Sequence, residues 1–135
     1  MIIETNEYRD LLKTELEIFK LADAVALNNK RYSVKTAVLV VQTVPKLQIV
    51  CGTFCSFRTS TYDKESGFHP EYTALDMYSA DISDITFYIS KLNIKNEPLP
   101  SRPCKRCMLA LQETPEVTHI VYRDDKLRIV KEALE

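Results

Sequence analysis

Glycine is almost missing: only Gly52 and Gly67 occur among 135 residues. That excludes the glycine-rich loops with which nucleotide-binding folds cradle phosphates. Long apolar runs are missing too, since none approaches the roughly 18 residues of a membrane span. The opening MIIETNEYRD has no basic region leading into an apolar one, so it does not read as a signal peptide. An excess of either charge is also lacking. Eighteen Lys and Arg stand against nineteen Asp and Glu, a net charge of -1, which does not mark a nucleic-acid binder. These absences predict a soluble, intracellular protein, cytoplasmic by default, with no membrane partner. What is present is ordinary: 45% hydrophobic and 27% charged residues, enough for one domain over 1–135 with one core. In such a compartment the four cysteines point to metal binding or catalysis ahead of disulfides.

No repeat or low-complexity tract interrupts the chain. EYRDLLKTELEIFKLADAVALNN carries Tyr8, Leu12, Leu16, Phe19 and Ala26 near helical spacing and predicts an amphipathic helix. TAVLVVQT and LQIVCGT flank Val44-Pro45-Lys46 and predict an antiparallel hairpin. A polar loop is expected over 54–68, then a helix over HPEYTALDMYSA with Pro70 in its first turn. DITFYIS predicts a buried strand, KLNIKNEPLPSR a loop, PCKRCMLALQE a second helix opened by proline, and VTHIVYRD a strand. The tail DKLRIVKEALE fits either a strand turned back at Asp124-Asp125 or a helix. Strands alternating with helices after a hairpin imply an α/β fold, a mixed sheet covered by helices on both faces.

The chemistry concentrates in SRPCKRCML, residues 101–109. Cys104 and Cys107 stand three apart at a predicted helix start, on one side of the turn. A helix N-terminus presents free N–H groups and favours negative ligands, and the thiolate is the form of cysteine that binds metal. His69 and Glu71 occupy the other proline-led helix start. Thiolates with imidazole suit zinc, and three protein ligands leave an open position, the catalytic arrangement. Glu71 stands too near His69 to be an ordinary fourth ligand and suits a proton shuttle.

HPE at 69–71 followed by PCKRC at 103–107 resembles the zinc-dependent cytidine deaminase superfamily, whose signature is H-x-E…P-C-x-x-C. The resemblance implies a three-layer α/β/α sandwich around a mixed sheet. It implies zinc held by His69, Cys104 and Cys107, with Glu71 as general acid and base. The implied reaction is hydrolytic loss of ammonia from a base, most simply cytosine in a nucleoside, a nucleotide or single-stranded nucleic acid. Subunit association into a homo-oligomer is likewise a family expectation. Adenine or guanine are alternative substrates. A further alternative is a catalytically inactive, zinc-stabilised binding protein, with Cys55 closing the metal site.

Many members of that superfamily hold the substrate's sugar with an asparagine after the second strand. Residues 36–68 contain none, and Thr53 or Ser56 offers a hydroxyl instead. Phe54 and Arg58 are candidates for stacking on a base, against packing beneath a loop. Segment 91–107 is locally basic, and within it Arg102, directly before the second proline-led helix, is the candidate for a substrate phosphate. Cys51 and Cys55 otherwise read as small buried residues, and His119 as a packed or half-exposed strand residue.

Overall fold

The computed structural model describes residues 13–28, 34–43, 48–57 and 84–134. Helix α1 is Lys13–Asn28, followed by strands β1 (Val34–Gln42), β2 (Gln48–Phe57) and β3 (Ile85–Asn93). Helix α2 (Lys105–Gln112) then leads to β4 (Val117–Arg123) and β5 (Ile129–Ala133). The strands form one mixed sheet in the order β2-β1-β3-β4-β5. The β1 strand is antiparallel to β2 and to β3, β3 and β4 are parallel, and β5 is antiparallel to β4. The expected helix over 69–80 lies outside the described residues.

Alternation along the strands separates two cores. Val38, Val40, Ile85, Phe87, Ile89, Ile120, Tyr122 and Val130 cluster with Met108 and Leu111 of α2. The intervening Leu39, Val41, Tyr88 and Val121 cluster with Ile18, Phe19 and Ala22 of α1. The central strands are therefore apolar at successive positions, as strands buried on both faces must be. On α1 the buried residues are Glu15, Ile18, Phe19, Ala22 and Ala26, one stripe at helical spacing. Leu16, expected on that stripe, is only half-buried. An ion pair reinforces the packing. Arg123 of β4 holds both carboxylate oxygens of Asp23 on α1, at 2.9 and 2.7 Å. No described helix is long and apolar enough to cross a membrane.

Two boundaries differ from the sequence expectations, and one open choice is decided. The β2 strand runs on to Phe57, because the hairpin register continues to the pair Val34–Phe57 and overrides the polar composition there. The β3 strand likewise reaches Asn93 by pairing with the whole length of β1. The tail is the strand of the two alternatives. Asp124 closes its turn by accepting from the backbone N–H groups of Lys126 and Arg128, both at 2.9 Å.

Candidate metal centre

The approach to α2 is built residue by residue. After β3, Asn93 caps a tight turn by accepting from the N–H groups of Lys95 and Glu97 at 2.8 and 2.9 Å. Asn96 in that turn takes a positive φ of 64°, a conformation that asparagine tolerates. Its side chain accepts from Lys35. Ser101 then ties the segment to two strands. Its hydroxyl donates to the carbonyl of Ile89 at 2.7 Å and accepts from the N–H of Arg123 at 2.9 Å. Its own N–H donates to the Arg123 carbonyl at 2.9 Å.

Cys104 is the N-cap of α2, with φ -64° and ψ 164°, and its side chain makes no capping hydrogen bond. Its carbonyl accepts the first helical bond, from the N–H of Met108 at 2.8 Å. Pro103 therefore precedes the cap instead of opening the helix, because the extended ψ at Cys104 delays the first helical residue to Lys105. Cys104 is exposed and Cys107 buried, one turn apart. Together they form a two-sulfur turn, with the first residue at the surface and the second in the core.

Of the remaining predicted site residues, His69, Glu71 and Arg58 lie outside the described residues. Thr53 and Phe54 stand in β2, opposite Val38 and Ala37 of β1. Cys55 stands opposite Thr36 in the same ladder. His119 is half-buried in β4, with Nδ1 3.0 Å from the Thr118 hydroxyl. Among the described residues no group of three or more His, Cys, Asp or Glu is placed to hold a metal ion. Cys104 and Cys107 are residues of a kind that zinc accepts, and two alone would not complete a zinc site.

Arg102 is engaged with Glu132 of β5. Its Nε donates to Oε1 at 3.2 Å and one terminal nitrogen to Oε2 at 3.0 Å. The Tyr122 hydroxyl donates to the same carboxylate at 2.7 Å. Glu132 is only 1% exposed, so this is a buried acceptor met by a planar fork and a phenol. Burial works against the charged guanidinium, but the bonded carboxylate outweighs it and holds the Arg102 pKa above its ordinary value. Burial, followed by Glu132, raises the Tyr122 phenol as well. The partnership escaped the sequence reading, although one signal for it existed. Glu132 falls two residues from Val130 and shares its side of the strand, so alternation alone sends a charge into the core.

No family model, curated protein or solved structure matches this chain.

The register brings the ends of β2 and β3 level with each other. Phe57 at the end of β2 pairs with Val34, and Val34 pairs with Asn93 at the end of β3. The chain thus leaves β2 and β3 at the same end of the sheet.

Proposed function

We propose that this chain is a zinc-dependent hydrolytic deaminase with a three-layer, cytidine deaminase-like fold. Its substrate is most simply cytosine carried on a nucleoside or nucleotide. The observation that supports this best is topological. The β2, β3 and β4 strands all run the same way, and each step along the sheet goes in the same direction. Crossovers between parallel strands are right-handed in nearly all proteins. Two right-handed crossovers in the same direction cover the same face. The connection carrying His69 and Glu71 and the connection carrying Cys104 and Cys107 would therefore start at one end of the sheet and cover one face. That is the juxtaposition the HPE and PCKRC motifs require.

On this reading His69, Cys104 and Cys107 hold the zinc. When bound, the metal lowers the pKa of a coordinated water to about 7. Glu71 accepts a proton and delivers it to the departing amine, so that ammonia leaves. The exposed Cys104 thiol and the buried Cys107 thiol fit a metal at the surface end of the turn, reachable by a small molecule. The antiparallel β5 favours a free nucleoside or nucleotide, because a hairpin tail resembles that branch of the superfamily more than the polynucleotide-editing branch.

The test is ammonia release from cytidine, deoxycytidine, dCMP, adenosine, guanine and a single-stranded oligonucleotide, using zinc-loaded protein. Turnover of a cytosine nucleoside or nucleotide is expected. Glu71→Gln should abolish it while leaving zinc bound. Stoichiometric zinc without turnover of any substrate would refute the catalytic reading.

A further inference from the structure

We infer that Glu132 is a positioning residue for the metal-binding turn, acting through Arg102 to fix Cys104 before metal arrives. This rests on the zinc reading above. Residue 101 is bonded to β3 and β4, and residue 102 to β5. Pro103 follows, buried and with a fixed φ, and Cys104 comes next. Just before the first thiol, residues 101 and 102 thus tie the segment to three strands. Of the three, only the tie to β5 runs from side chain to side chain. It depends on one carboxylate, 1% exposed, that takes two bonds from Arg102 and one from Tyr122.

Stability alone does not explain a carboxylate at this position. Val130 shares the same side of β5 and packs into the core with no exposure. Replacing a buried ion pair with apolar residues of similar volume is often neutral or stabilising. What a bidentate fork supplies, and an apolar contact does not, is a fixed direction. Partners behind a metal ligand serve that purpose, and removing them weakens metal binding. In this chain the C-terminal β4–β5 hairpin is therefore part of the metal site's support, although it contributes no ligand.

The experiment uses the full chain as wild type, Glu132→Gln, Arg102→Lys, the double variant and Lys131→Met. Lys131 lies on the opposite side of β5, paired with Glu15 at 2.8 Å, so its replacement disturbs the same strand away from α2. Zinc affinity is measured by competition with a chromogenic chelator, and the thiolate and ligand-field bands are recorded after cobalt substitution. Glu132→Gln and Arg102→Lys should each weaken zinc about tenfold or more and shift the cobalt bands. The double variant should be no weaker than Glu132→Gln alone, and Lys131→Met should match wild type. If Glu132→Gln misfolds, Arg102→Lys keeps the charge and carries the test. Unchanged zinc affinity and cobalt bands in the folded variants would overturn the inference, whatever happens to their melting temperatures. Failure of the wild type itself to bind zinc is a separate result, and it overturns the deaminase reading together with this one.

Discussion

Tyr122 and Tyr88 show how single buried groups tie stability to pH. Burial, followed by the neighbouring carboxylates Glu132 and Glu15, raises both phenols above the ordinary value of 10.0. A group whose pKa is raised on folding contributes stability fully below its unfolded pKa and loses it as pH climbs. Folding stability should thus hold up to about pH 10 and fall beyond it, by at most about 1.4 kcal/mol per pH unit for each tyrosine. Denaturant melts between pH 8 and 11 check this. Tyr122→Phe should have a shallower alkaline decline than wild type, and an identical decline would contradict the assignment. At the same scale, Arg102 was legible as a basic residue beside the CxxC turn, but its partner was not. The bond to Glu132 spans 30 residues and depends on the pairing of β4 with β5, which composition does not reveal.

At the scale of elements, α2 begins in a way that favours a ligand over stability. The N-cap of a helix favours serine, threonine, aspartate or asparagine, whose oxygen accepts from the first-turn N–H groups. Here it is Cys104, with no such bond. Cys104→Ser should therefore raise the melting temperature of the metal-free protein, by about 1 kcal/mol of added stability. The same change should abolish stoichiometric zinc binding. Calorimetry of the metal-free variant checks the first part and zinc analysis the second. The elements themselves were largely legible. The β1, β3 and β4 strands announce themselves as β-branched apolar runs, and α1 by its helical stripe. The end of β2 was not legible, because Thr53 to Phe57 mixes polar with aromatic residues and is held by register with β1. The tail was ambiguous because five residues support a period of two only weakly, and the turn at Asp124 decides it.

For the whole molecule, the sheet topology makes the connections that follow β2 and β3 depart from one end of the sheet. The mixed α/β sheet could be expected from the alternation of elements. The parallel relation of β2 and β3 across an antiparallel β1 could not, because it depends on which strand inserts between which. Of the four residues proposed to build the centre, the structure describes two, Cys104 and Cys107, on one turn of α2. The most direct test of the account is zinc K-edge X-ray absorption on the metal-loaded protein. It should report two sulfur ligands at about 2.3 Å, one imidazole nitrogen at about 2.0–2.1 Å and one further light ligand from solvent. A first shell of three sulfurs and one nitrogen would mean a closed structural site, and a protein that takes up no zinc would contradict the account at its root.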